Sequence, residues 1–275
     1  MTDARKPADA LTPFEQALRE RVPSREALLA EAKAQSTRQR QRKRALGGGL
    51  SVLLLAAAAW AFDPSYYSDE VRVAIGQRER LTLADGSQLV LDSNSHLRIE
   101  HRLRSRQFEL LQGEATFTVA HGPQPFIVRS QGIAVRDIGT VFNVRSDSRG
   151  VAVAVVDGEV EVSSTAVAAQ RLLGGQQVQA RDAQIGQVTP VDPARVIAWQ
   201  QGKLRFDGTP LREVIVDLQR YRQAPIHLFD SRAAGQRLSG EFDSAAVEPL
   251  LDLLPSILPI NVERAADGQV SIRSR

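Results

Sequence analysis

Residues able to do chemistry are sparse in this chain, and one pair stands apart. Gly139-Thr140, inside the run Val135-Arg136-Asp137-Ile138-Gly139-Thr140-Val141-Phe142-Asn143-Val144, sets a hydroxyl directly after the residue type whose backbone reaches conformations that a Cβ resists. The plain alternative is the start of an ordinary strand, with Thr140 supplying β propensity. The four histidines, His96, His101, His121 and His227, are scattered without ligand spacing such as His-x-x-x-His, so no metal site is expected. There is no cysteine, which excludes disulfides, zinc-thiolate sites and thiol chemistry. Gly-x-Ser-x-Gly, the P-loop and the dinucleotide fingerprint are absent, and the paired carboxylates read as surface charges on turns. The expectation is a protein that is no ordinary enzyme and needs no cofactor.

The element that would place these residues in a cell lies upstream. Ala45 to Phe62 carries no charge and follows the basic run Arg38-Gln39-Arg40-Gln41-Arg42-Lys43-Arg44. At about 1.5 Å of rise per helical residue this stretch spans roughly 27 Å, close to the hydrocarbon thickness of a bilayer. Lys and Arg are retained on the cytoplasmic side, so the N-terminus is expected inside and everything after Phe62 outside. Trp60, Tyr66 and Tyr67 suit the outer interface. The alternative is a cleaved signal peptide, because Ala59-Trp60-Ala61 offers small residues where a peptidase reads; the long n-region and long apolar run argue against it. Residues 1–62 hold 11 Lys and Arg against 6 Asp and Glu, and the rest hold 24 against 26. The basicity is local and suits anionic lipid, not nucleic acid.

Three patterns follow along the chain. Before the membrane, Ser24 is a candidate N-cap for a helix over Arg25–Gln35, rich in Ala27, Leu28, Leu29, Ala30 and Ala32. From Val71 to about Pro190, short alternating apolar runs separated by Gly, Asn and Asp-Gly predict an all-β sandwich, roll or short solenoid. Asp85-Gly86 and Asp157-Gly158 each read as a tight hairpin turn. From Gly202 the pattern predicts a small α+β unit: strand Lys203–Phe206, helix Pro210–Arg222, strand Ile226–Leu228, strand Arg237–Phe242, helix Ala245–Leu254, and strands near Ile260 and Val270. Leu211, Val214, Ile215 and Leu218 share one helix face, and Trp199 is expected to pack at the junction. The fold class is thus a single transmembrane helix, a periplasmic all-β domain and a small C-terminal α+β domain, divided at 1–44, 45–62, 63–195 and 196–275.

Several phrases in order resemble the FecR family of transmembrane sigma-factor regulators: Leu81 to Ser87, Leu110 to Val119, Pro125 to Val128, Ile138 to Val144 and Val156 to Val160. The tail from Gly202 is similar to the short N-terminal signalling fold of secretins and TonB-dependent receptors. The resemblance implies an anti-sigma factor of the inner membrane whose cytoplasmic N-terminus engages an extracytoplasmic-function sigma factor. Its periplasmic part would read the signalling domain of a TonB-dependent outer-membrane receptor, in metal or siderophore uptake, with proteases finishing the relay. In such a complex Leu28, Leu29 and Ala32 would be the buried face. Family members usually carry a longer cytoplasmic region with a tryptophan-bearing bundle; here 44 residues without Trp precede the apolar run.

Some members of the family cleave themselves at a Gly-Thr bond that aligns with Gly139-Thr140. A Thr hydroxyl attacks the preceding carbonyl, the amide becomes an ester, and water opens it; Asp137 or a water could serve as base. Two other roles stay open from the sequence: a membrane-tethered periplasmic binding module and a subunit of an envelope assembly.

Overall fold

The computed structural model describes residues 63–275 throughout and, before them, Arg25, Glu26, Leu29, Ala30, Lys33, Ala34, Leu53, Leu54 and 56–62, all helical. The chain divides into Met1–Phe62 and Asp63–Arg275. In the first unit Leu53, Leu54, Trp60 and Phe62 are exposed. No helix among the described residues is long and apolar enough to cross a membrane. Most of the predicted cytoplasmic segment, and the rest of 45–62, lie outside the described residues.

Residues 63–190 form fourteen strands in one continuous, strongly curled sheet. In chain order these are β1 (Tyr67–Arg72), β2 (Glu79–Thr82), β3 (Gln88–Leu91), β4 (His96–His101), β5 (Arg106–Thr118), β6 (Phe126–Ser130) and β7 (Ile133–Asp137). They continue as β8 (Val141–Asp147), β9 (Gly150–Asp157), β10 (Glu159–Ser164), β11 (Gln170–Leu173), β12 (Gln176–Arg181), β13 (Gln184–Ile185) and β14 (Thr189–Pro190). The alternation read from the sequence holds: Leu89 and Leu91, or Val160 and Val162, face inward while their neighbours face out. The core is centred on Phe108, Phe117, Phe126 and Phe142, with Phe108 stacked on Phe126 at 4.5 Å and Phe117 on Phe142 at 5.2 Å between ring centroids.

The curl has a local cause in β5. Up to Gln112 this strand pairs with β4, and over Arg106–Glu109 with β6; from Gly113 onward it pairs with β8 and then also β3. The change of partners happens at Gly113, whose φ is +94° and whose added Cβ would stand 2.3 Å from Ser95 Oγ. Only glycine fits there.

Asp157-Gly158 corrects the sequence reading. It is no hairpin turn, because β9 and β10 do not pair: β9 lies between β8 and β12, and β10 between β7 and β11. Gly158, at φ +84°, is a kink that carries the chain from one half of the curled sheet to the other. Asp85-Gly86, by contrast, does close the β2–β3 hairpin.

After β14, a short helix α1 (Pro193–Val196) and a 3₁₀ turn (Ala198–Gln201) that buries Trp199 lead into a second apolar core. Here β15 (Lys203–Pro210), α2 (Leu211–Gln219), β16 (Ile226–Leu228), α3 (Ser231–Ala234), β17 (Arg237–Asp243), α4 (Val247–Ile257), β18 (Ile260–Arg264) and β19 (Val270–Ser274) follow in order. β15 pairs with β17, and β19 lies between β16 and β18. Leu211, Val214, Ile215 and Leu218 are all buried on one face of α2, and Val247, Leu250, Leu251 and Leu254 on one face of α4. Pro210, expected inside the first turn, sits at the N-cap of α2, one position before the helix begins.

Candidate functional site

Gly139 and Thr140 occupy a bend, not a strand start: β7 ends at Asp137 and β8 begins at Val141. The bend is held from both ends by backbone bonds to separate elements. Ile138 N–H donates to Glu159 O of β10 at 3.1 Å, and Val119 N–H, at the end of β5, donates to Thr140 O at 3.0 Å. Between these clamps Gly139 adopts a φ of +101°, a conformation that side-chain-bearing residues rarely reach.

One carboxylate organises the bond. Asp137 Oδ2 accepts from Gly139 N–H at 3.0 Å, while Asp137 Oδ1 accepts from the Thr140 hydroxyl. The hydroxyl and the carboxylate are thus in direct contact, with Thr140 only 5% exposed. Two residues from elsewhere complete the surroundings. A Cβ added to Gly158 would meet Gly139 O at 2.4 Å and Thr140 Cα at 3.1 Å, so the β9–β10 kink presses directly on the peptide. On the other side, His121 Nε2 lies 2.8 Å from where a Gly139 Cβ would be. A cavity of about 240 Å³, lined by His121, Asp137 and Gly139 among others, opens beside it. No cluster able to hold a metal ion occurs among the described residues. The arrangement suits acyl transfer from nitrogen to oxygen at Gly139-Thr140.

Comparison with known proteins bears on the frame around this bond. Residues 69–161, from β1 into β10, match the model of the FecR protein family. Over that stretch the chain resembles the FecR family. Two crystal structures of a candidate anti-sigma factor from Parabacteroides distasonis ATCC 8503 resemble it, each at 29% identity and a TM-score of 0.67. They cover 76% and 75% of this chain and 100% and 99% of their own. No curated protein matches the chain.

Of the residues singled out in the sequence, Asp137, Gly139 and Thr140 come together as described. Leu29 is helical and exposed, whereas Leu28 and Ala32 lie outside the described residues. His121 and Gly158 were missed as parts of the site, since a lone histidine and a generic Asp-Gly give no local sign of reaching Gly139.

A second polar assembly has no local sign in the sequence, since its members lie far apart along the chain. Asp92 is 0% exposed, Glu114 7% and Arg220 8%. Arg220, just past the end of α2, inserts its guanidinium into the β domain and donates to Asp92 and to Glu114. Tyr221 OH donates to Asp92, Ser93 Oγ donates to Arg220 O at 2.6 Å, and Asn143 Nδ2 donates to Glu114 Oε1 at 2.7 Å. Burial pushes the Arg220 pKa down, but the charges of Glu114 and Asp92 outweigh it and hold the pKa well above the ordinary value. The same burial pushes the Tyr221 hydroxyl far up.

Proposed function

We propose that this protein is a FecR-family anti-sigma regulator that relays receptor occupancy across the inner membrane to an extracytoplasmic-function sigma factor. The carrying observation is the likeness, at 29% identity and over the full length of that chain, to the Parabacteroides distasonis candidate anti-sigma factor, together with the FecR match. The charge-free run 45–62 behind seven mostly basic residues supports a single crossing with the N-terminus cytoplasmic. The periplasmic unit would then read the signalling domain of a TonB-dependent receptor serving metal or siderophore uptake, and periplasmic and intramembrane proteases would complete the relay.

Self-cleavage at Gly139-Thr140 belongs to this reading as a single-turnover maturation step, supported by the contact between the Thr140 hydroxyl and Asp137. Thr140→Ala should leave one full-length band on an immunoblot where wild type gives two fragments; identical bands would remove Thr140 from the chemistry. The regulator reading is tested by a two-hybrid assay of residues 1–44 against the extracytoplasmic-function sigma factors of the host. One of them should bind, and Leu28→Asp with Leu29→Asp should abolish the signal. Binding to none would end the anti-sigma proposal.

A further inference from the structure

We infer that His121 is the residue that activates water to open the ester at Gly139-Thr140, an inference that rests on the self-cleavage reading above. The two sides of the bond are chemically unequal. Asp137 serves the threonine side, where its carboxylate holds both the Thr140 hydroxyl and Gly139 N–H. Gly158 packs against the Gly139 oxygen, and the His121 imidazole fills the space a Gly139 side chain would need. Glycine is therefore required at 139 twice over: for its φ of +101° and to admit the ring. Thr140 is buried, whereas His121 is exposed and borders the cavity, so water reaches the carbonyl along the imidazole.

The loop carrying His121 is tied down at both ends. Arg106 Nη1 donates to Ala120 O at 3.1 Å, and Arg106 Nη2 donates to Gln124 O at 2.7 Å. Arg106 in turn pairs with Asp85, and Ala120 N–H donates to Ser87 Oγ at 3.0 Å. The backbone that carries the ring is thus fixed before reaction, which favours placement of a proton-transfer group.

The steps balance with one water consumed. In the first, the Thr140 hydroxyl gives its proton to Asp137 while Oγ bonds to the Gly139 carbonyl carbon. The C–N bond breaks and the proton passes to Thr140 nitrogen, leaving a Gly139 ester on Thr140 Oγ and a free amine. In the second, His121 Nε2 takes a proton from water as its oxygen bonds to the same carbon. The ester C–O bond breaks, and the imidazolium returns the proton to Thr140 Oγ. The products are a Gly139 carboxylate and a chain that begins at Thr140.

The assignment separates the steps experimentally, because hydroxylamine at alkaline pH splits esters and spares ordinary amides. The chain contains no Asn-Gly bond to add background. In membranes carrying the full-length protein, His121→Ala and the bulkier His121→Gln should slow the appearance of the two fragments on the order of a hundredfold, the usual contribution of a general base. The surviving full-length band should then split on hydroxylamine treatment into the wild-type fragments, while Thr140→Ala should resist. If His121→Ala matures at the wild-type rate, or persists in a hydroxylamine-resistant form, His121 does not open an ester. A wild-type chain that is both uncut and hydroxylamine-resistant would instead overturn the self-cleavage reading itself and the role of His121 with it.

Discussion

A single methyl group separates the observed Gly139–Thr140 peptide from a displaced one. Gly158→Ala adds a Cβ that would stand 2.4 Å from Gly139 O, a backbone atom that cannot swing aside, at a φ of +84°. The left-handed backbone costs about 1–2 kcal/mol and the overlap about 1–3 more, so a loss of about 2–5 kcal/mol is expected in thermal melting. Gly76→Ala is the internal control: its φ is +78°, yet nothing lies within 4 Å of its Cβ, and only the backbone cost of about 1–2 kcal/mol should register. Equal losses in the two variants would mean that the kink does not press on the bond. The contrast also explains what the sequence could show of the site. Asp137, Gly139 and Thr140 are near neighbours in the sequence, and the resemblance to FecR proteins is what points to their chemistry. His121 and Gly158 arrive from the end of β5 and from the β9–β10 kink, and only the paths of those strands bring them in.

The first strand of the β domain is an edge, and one carboxylate bridges it to its neighbour. Among the described residues β1 pairs only with β4, and across that pair Glu70 accepts from His96 Nε2 at 3.0 Å and from Arg98 Nη2 at 3.2 Å, besides its near neighbour Arg72 Nη2 at 2.9 Å. Hydrogen bonds from Arg72, His96 and Arg98 lower the Glu70 pKa from the ordinary 4.5 to about 2. Because the folded value is the lower one, this contribution is fully present above about pH 4.5 and is lost as pH falls toward 2. Amides of Tyr67–Arg72 should therefore lose protection from hydrogen exchange across that window while those of β5 and β8 keep theirs. Glu70→Gln should show weak β1 protection at every pH; a wild-type-like profile in that variant would exclude the carboxylate. Strands of this kind were readable because period-two alternation survives in Leu89-Val90-Leu91 and Val160-Glu161-Val162. Their partners were not. Asp157-Gly158 carries the same turn chemistry as Asp85-Gly86, and only the neighbours of β9 and β10 decide that one is a hairpin and the other a crossing between sheet halves. The C-terminal helices were readable for the converse reason: the apolar face Leu211, Val214, Ile215 and Leu218 is complete within one segment.

The two cores of residues 63–275 are joined through a charge that neither contains alone. Arg220 belongs to the C-terminal unit, and its partners Asp92 and Glu114 to the FecR domain, all three buried. Arg78 adds a partly exposed strand to the same joint, donating to Asp92 at 3.3 Å and to Ser244 at 2.5 Å. In the sequence these are four ordinary charges far apart, and helix periodicity stops short of Arg220; nothing local marks it for burial. Removing one partner of a buried pair leaves the others uncompensated, at a cost of about 3–5 kcal/mol, more than any exposed ion pair contributes. Arg220→Met should thus lower the melting temperature and open the segment around 191–202 to limited proteolysis, with the two cores unfolding in separate transitions. Adding Asp92→Asn and Glu114→Gln to Arg220→Met removes the stranded charges and should recover much of the loss. On the relay reading, this joint is the path by which an event at the C-terminal unit reaches the strands around Gly139, since Glu114 lies on β5 and Asn143, its other partner, on β8. If Arg220→Met melts in one transition at the wild-type temperature, the cores are held by apolar contact alone and the buried charge has no part in coupling them.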